Sequence, residues 1–308
     1  MNQIKVFSPA TIANLSCGFD VLGLALDNKG DEITVKKIKQ KKIVLKHTDH
    51  YNLPLTVEEN VSGKAAQAIL DDLNLDFGFE IITHKNIHPG SGIGSSSSSA
   101  SGTVFAINKL LDNQLTEEQQ LHYSLIGEFV ASGSYHADNV APALLGGIIL
   151  IRGYNPIDLI KLPVPKDLWA TVITPKIQIK TYDARRVLKQ KVMLKNAIQQ
   201  AGNLAGLISG FYTSDYELIG RSLVDVLIEP QRAPLIPKFN ELKKKSLAAG
   251  ALNTGISGSG PSVFSLCKGE KTAEKVKTVF DAVYKSTGID YEIIVSKVNE
   301  QGVKIIEE

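Results

Sequence analysis

The tract Pro89-Gly-Ser-Gly-Ile-Gly-Ser-Ser-Ser-Ser-Ser-Ala-Ser101 constrains this chain most, because it joins a β-rich run at Phe79–His84 to a helical face at Ala100, Val104, Ile107 and Leu111. A strand that feeds a helix through glycines leaves successive backbone N–H groups and the positive end of the helix dipole facing one point, the arrangement that holds phosphate. Glycines at 90, 92 and 94 permit backbone angles and a close ligand approach that side chains would block. The serine hydroxyls can reach phosphate oxygens or a phosphate-bound Mg²⁺. From glycine and serine content alone, a flexible loop ahead of an N-capped helix fits equally well.

Two familiar nucleotide loops are excluded. A P-loop needs Gly-Lys-Ser/Thr after four intervening residues, and no lysine lies in the tract. Gly90, Gly92 and Gly94 give GxGxG rather than the dinucleotide fingerprint GxGxxG, and the preceding strands read as a hairpin, not as a parallel βαβ opening.

The 308 residues exceed one typical domain, so two cores in one chain are expected. With 43% hydrophobic residues, 21% charged residues and a net charge of +2, the chain is an ordinary globular one and does not call for a nucleic-acid partner. The basic runs Lys36–Lys42 and Lys243–Lys245 read as solvated faces. Cys17 and Cys267 have neither CxxC spacing nor a framework, which fits a reducing compartment. Without an apolar leader or a long apolar run, a cytoplasmic location is expected. His84 and His88 precede Pro89 in a strand-like context, and His47 and His50 lie in a polar turn, so no zinc site is expected.

Alternation predicts strands at Ile4–Ser8, stopping at Pro9, at Glu32–Ile38 and Lys42–His47 as a hairpin, and at Phe79–His84. Helical spacing predicts Ser62–Leu73, a helix through Ala100–Leu111, and Glu117–Ser132. Strands follow at Leu144–Arg152 and Leu168–Thr174, with a proline-rich seam at Pro156–Pro165 that divides the chain into residues 1–160 and 161–308. The remainder reads as helices Asp183–Tyr212, Asp215–Leu227 and Pro237–Ala249, strand Ser262–Leu266, helix Thr272–Lys285, and strands Tyr291–Val298 and Val303–Ile306, an α+β order.

Three separated stretches together resemble the GHMP kinases: Ser8-Pro-Ala-Thr-Ile-Ala-Asn-Leu-Ser-Cys-Gly-Phe-Asp-Val-Leu-Gly23, the Pro89–Ser101 loop, and Thr254-Gly-Ile-Ser-Gly-Ser-Gly-Pro-Ser262. The form Asn-Leu-x-x-Gly-Phe-Asp and the segment Gly133-Ser-Tyr-His-Ala-Asp-Asn-Val-Ala-Pro142 are specifically similar to the homoserine kinase branch. The loop departs from the family's Gly-Leu-Gly-Ser-Ser-Ala-Ala-Ser, with Ile93 for leucine and Ser97–Ser99 over the small alanines. Extra hydroxyls in the first helical turn can cap orphan N–H groups there.

The resemblance implies a two-domain α+β fold, with a ribosomal-protein-S5-domain-2-like N-terminal domain and a ferredoxin-like C-terminal one. It implies an enzyme that uses ATP and Mg²⁺ to convert L-homoserine to O-phospho-L-homoserine in threonine biosynthesis, and a homodimer. It assigns the nucleotide to Asn60, Lys85, Pro89, Gly90, Ser91, Gly92, Ile93, Gly94, Ser95, Ser96, Ser97, Ser98 and Ser99, with Asn60 and Lys85 near the nucleoside, and the metal to Ser96 and Glu128. Homoserine carries an ammonium, a carboxylate and the reacting hydroxyl, so its pocket needs an acid, bidentate cations and neutral hydrogen-bonding groups. By resemblance these are Asn14, Asp20, His136, Asp138 and Asn139, with Arg185 and Arg232 on the carboxylate and Gly258 and Gly260 on the opposite wall. Arg186 is read as a surface residue.

The proton acceptor stays open: Thr181, Asp138 and Arg185 are catalytic candidates that orient groups, and the phosphate itself can take the proton, since a loose transition state asks for little deprotonation. Two other readings stand beside this one. One is a GHMP kinase for another alcohol, mevalonate-like or a sugar, and the other is an inactive GHMP-fold ligand-binding protein.

Overall fold

The computed structural model describes residues 2–177 and 181–307, and the side chains of 181–183 lie outside that description. The first half contributes β1 (Gln3–Ala13), β2 (Leu22–Ile38), β3 (Ile43–His47), α1 (Val61–Asp72), β4 (Gly78–His84), α2 (Ser95–Leu110), α3 (Glu117–Ser132), α4 (Ala137–Leu145), β5 (Ile148–Tyr154) and β6 (Ile157–Leu162). The second half adds β7 (Leu168–Pro175), α5 (Thr181–Arg186), α6 (Leu194–Thr213), α7 (Tyr216–Ser222), α8 (Glu229–Arg232), a 3₁₀ turn (Ala233–Leu235), α9 (Phe239–Ala248), β8 (Asn253–Ile256), β9 (Val263–Lys268), α10 (Glu270–Tyr284), β10 (Tyr291–Lys297) and β11 (Lys304–Glu307).

The first sheet has the order β11-β1-β2-β4-β3, and β5 and β6 extend it from the start of β2. β2 is long enough to serve both branches: Leu22–Leu24 pairs with β5 and Glu32–Ile38 with β4. Ile33 and Val35 point inward from β2, and Ile69, Val104 and Ile107 cover them from α1 and α2. The second sheet, β10-β7-β9-β8, takes the chain order 4-1-3-2 of a split βαβ unit and packs α9 and α10 on one face through Phe239, Leu242, Val276 and Phe280. A third cluster, with Leu22, Leu24, Ile148, Val172, Phe211 and Phe264, fuses the two layers. Among the described residues no helix is long and apolar enough to cross a membrane.

Several sequence expectations change. β1 runs through Pro9 rather than ending there, because its register slips between Pro9 and Thr11, where the missing N–H costs no ladder bond. β3 does not form a hairpin with β2; it lies parallel to β4, and α1 supplies the crossover that parallel neighbours require. Residues 137–145 form α4 despite Pro142, since Val140, Ala141 and Leu144 bury one helical face. The proline-rich seam contains β6, so a division at 160/161 falls inside a strand, and β11 returns to the first sheet beside β1. The single helix expected over 183–212 is two, α5 and α6.

Candidate active site

A cavity of about 340 Å³ opens where the N-termini of α2 and α4, the end of α3, the turn after β1, and the residues of α5 and α8 converge. Its wall contains residues from all three motif stretches.

At one end is the first turn of α2. Its N-cap, Gly94, sits at φ 69° and offers no side chain to the helix. A Cβ there would come within 2.1 Å of Thr11 Oγ1 and 3.0 Å of Asn139 Oδ1, so both backbone angle and space require glycine. The serines do not cap the helix as the sequence suggests. Ser97 donates to Glu128 Oε2 at 2.8 Å, Ser98 to the Ser8 carbonyl at 2.7 Å, and Ser95 to the Ile87 carbonyl at 3.0 Å. Because these hydroxyls are spent elsewhere, the first-turn amides of α2 are left for an anion. The serine run has a packing role too: small side chains let α2 lie close on β1 and β2, where Ser97, Ser98 and Ser101 are fully buried.

The outer edge of the loop is held by the C-terminal half of the chain. Ser257 donates to the Gly92 carbonyl at 2.8 Å and Ser262 to the Ser91 carbonyl at 2.6 Å. A Cβ on Gly92 would stand 2.6 Å from the Gly260 carbonyl, so the two glycine turns touch backbone to backbone.

Asn60 and Lys85 border the cavity, but their polar atoms serve the protein. Asn60 caps α1, accepting from the amides of Ser62 and Gly63 at 2.9 and 3.1 Å, and donates to the Pro54 carbonyl at 2.7 Å. The Lys85 ammonium is paired with buried Asp31 and donates to the Ser95 carbonyl at 2.6 Å and Ser99 Oγ at 2.9 Å, which accounts for its three N–H bonds. Asp31 in turn accepts from the amides of Asn86 and Ile87, each at 2.9 Å. This network pins the glycine–serine loop from beneath.

The other end of the cavity is charged. Arg185 Nη2 lies 3.2 Å from both oxygens of Asp20 and 3.0 Å from His136 Nε2, and His136 Nδ1 lies 3.5 Å from Glu128 Oε1. A guanidinium only donates, so Nε2 accepts and the proton of the neutral ring sits on Nδ1, toward Glu128. Burial pulls the imidazole down, but the hydrogen bond to Glu128 and the charges of Asp138 and Glu128 outweigh it and hold His136 above its usual value. Glu128 favours a charged ring while the Arg185 contact requires a bare Nε2. Asp138, in the first turn of α4, is buried with Oδ1 unpartnered, and desolvation pushes its carboxyl up to about 7.

Arg232 is buried, bonded through Nε to the Ala184 carbonyl at 3.2 Å and through Nη1 to the Gly258 carbonyl at 2.9 Å. Desolvation lowers it to about 10, so it stays charged at neutral pH. The guanidiniums of Arg232 and Arg185 lie 5.1 and 5.9 Å from the centre of one ring, Phe19. Asn14, at φ 72°, ties this end together: its Nδ2 donates to the Gly258 carbonyl at 2.9 Å and its Oδ1 accepts from the Asp20 amide at 3.0 Å.

Of the sequence-based site residues, Asn14, Asp20, Asn60, Lys85, Pro89, Gly90, Gly92, Gly94, Ser95, Ser96, Ser97, Ser99, Glu128, His136, Asp138, Asn139, Arg185, Arg232 and Gly258 meet on this wall. Ser91, Ile93, Ser98 and Gly260 do not: Ile93 belongs to the core, Ser98 faces β1, and Gly260 packs its backbone beneath Ile236. The side chain of Thr181 lies outside the described residues. Phe19, Leu53, Pro54, Glu59 and Val61 on the wall, and Asp31 beneath it, carry no sequence-based role. Asp31 was detectable, as a charge in phase with the inward-facing Ile33 and Val35 of β2.

Residues 60–147 match the family described as GHMP kinases N terminal domain, and residues 207–286 match GHMP kinases C terminal. The homoserine kinase of Chlorobium phaeobacteroides (strain BS1) is 41% identical over 99% of this chain and 100% of its own length, and that of Chlorobaculum tepidum is 40% identical over 99% of each. The crystal structure of homoserine kinase from Cytophaga hutchinsonii superposes with a TM-score of 0.96 at 44% identity, covering 99% of this chain and 98% of that one.

Proposed function

The chain belongs to the homoserine kinase family of the GHMP kinases, and we propose on that basis that it transfers the γ-phosphoryl group of ATP to the side-chain hydroxyl of L-homoserine, a step of threonine biosynthesis. The observation that carries the reading is the pairing, in one cavity, of an uncapped helix N-terminus with a wall of mixed charge. The first suits a triphosphate and the second a zwitterion.

Phosphoryl transfer asks mainly for positioning and for stabilisation of charge around the γ-phosphate. The α2 amides supply fixed donors, and Arg232, buried beside Gly258, supplies a preoriented cation for the homoserine carboxylate. Arg185 joins it once the carboxylate competes with Asp20. Ionised Asp138 receives the ammonium, which gives its unpartnered Oδ1 a bond. Mg²⁺ fits the residues present, because buried Glu128 and the half-buried Ser96 hydroxyl are hard oxygen donors on the same wall, and one carboxylate with phosphate and water suffices for that ion. When bound it neutralises developing charge on the phosphate oxygens. Among the described residues no side chain is assigned as an obligate base; the departing proton can pass to phosphate.

The same reading takes the enzyme as a cytoplasmic homodimer without a nucleic-acid partner. The net charge of +2 and the exposed strip Val192, Met193, Leu194 and Ile198 support it, and light scattering tests the dimer.

A substrate panel followed by ADP release decides the chemistry. Homoserine should give the highest kcat/KM, ahead of mevalonate and galactose. Equal or greater turnover of a substrate without an α-amino acid, or homoserine binding by titration without Mg²⁺-dependent turnover, overturns the proposal.

A further inference from the structure

Thr11 is fully buried in β1, yet its hydroxyl reaches another element: Oγ1 donates to Asn139 Oδ1 at 2.7 Å, and the Thr11 amide donates to the Ile93 carbonyl at 3.1 Å. One residue thus touches both the phosphate loop and the first turn of α4. A Cβ on Gly94 would strike Thr11 Oγ1 at 2.1 Å before it met Asn139, so the three groups are in direct contact.

A carboxamide has an acceptor end and a donor end, and fixing one fixes the other. We propose that Thr11 is a positioning residue that sets the polarity of the Asn139 amide, engaging Oδ1 from behind so that the Nδ2 donors face the cavity beside the first turn of α2. A negative charge there, on the transferring phosphoryl group or on the substrate oxygen as it loses its proton, needs donors. A flipped amide would present an oxygen to it and repel it. The inference rests on phosphoryl transfer in this cavity.

The test compares Thr11→Val, Thr11→Ser and Asn139→Ala, singly and with Thr11→Val added to Asn139→Ala, by steady-state kinetics of the full chain. Thr11→Val removes the hydroxyl at nearly constant volume and should lower kcat about 10- to 100-fold, leaving both KM values within about twofold. Thr11→Ser should bring kcat back to within about threefold of wild type. In the Asn139→Ala background, Thr11→Val should have no further effect, because the group it orients is gone. An equal fall in both backgrounds, or Thr11→Val turning over like wild type while Asn139→Ala is slow, overturns the inference and leaves the assigned reaction intact. If Asn139→Ala itself turns over like wild type, the assignment of Asn139 fails first. Asn139→Asp, with Thr11 intact, keeps the acceptor for Thr11 but removes the donors. Wild-type kcat in that variant overturns the proposal even if Thr11→Val does not fold.

Discussion

Ser97 donates its hydroxyl to Glu128 across 2.8 Å, so the acidic side chain on the cavity wall is held by the first turn of α2, whose N-terminus carries no capping side chain. A carboxylate fixed this way cannot rotate off without breaking a buried hydrogen bond. Glu128→Gln should lower kcat about 100-fold and shift the Mg²⁺ activation curve to higher concentration, with the homoserine KM within about twofold. An unchanged Mg²⁺ titration would remove Glu128 from the metal.

Arg232 and Arg185 both lie against the Phe19 ring. Arg232→Ala should raise the homoserine KM about 10- to 100-fold with little change in the ATP KM, since a buried charged donor pair is lost from the carboxylate. Phe19→Leu should raise it less, about threefold, by loosening both guanidiniums. Titration of homoserine into each variant checks the order; a larger effect from the phenylalanine would invert the argument.

The Asp138 carboxyl is raised from 3.8 to about 7 in the fold, so it holds its proton across a range where the unfolded chain has lost it. Its contribution to stability is therefore complete below the unfolded value and is lost as pH rises to about 7. Its ability to receive an ammonium runs the opposite way, appearing as pH rises through about 7. Asp138→Asn should raise the melting temperature more at pH 8 than at pH 5, and should flatten a kcat/KM profile that otherwise climbs through neutrality. A climb that persists in the variant would assign the limb to another group.

Lys85 and Asp31 form a buried pair, and the ammonium has no N–H left for a nucleoside. Lys85→Met strands the Asp31 carboxylate and should cost about 3–5 kcal/mol of stability in a denaturant titration. Unchanged stability with a raised ATP KM would return Lys85 to the nucleoside.

The sequence made the motifs legible because glycine and serine at fixed spacing admit few backbones, and the helices α1 and α10 because their apolar residues keep one period. It was less informative where long-range pairing decides. Nothing local tells β3 to pass over β2 and lie parallel to β4, or β11 to cross back to β1. Within the site, residue types were legible but their partners were not. Asp20 and Arg185, both expected on the substrate, are paired with each other, and the Ser97 hydroxyl, expected to cap a helix, holds Glu128. Such pairings join residues far apart in the chain, and only the closed fold brings them together.

The two touching glycine turns come from opposite halves of the chain, so the first depends on residues synthesised far later. The phosphate loop leaves the exit tunnel long before its outer edge is secured, since Gly92 waits for Ser257, 165 residues later, and Ser91 for Ser262. A chain that stops short of Ser257 therefore carries the loop's glycines and serines but lacks the two hydroxyls that hold its outer edge.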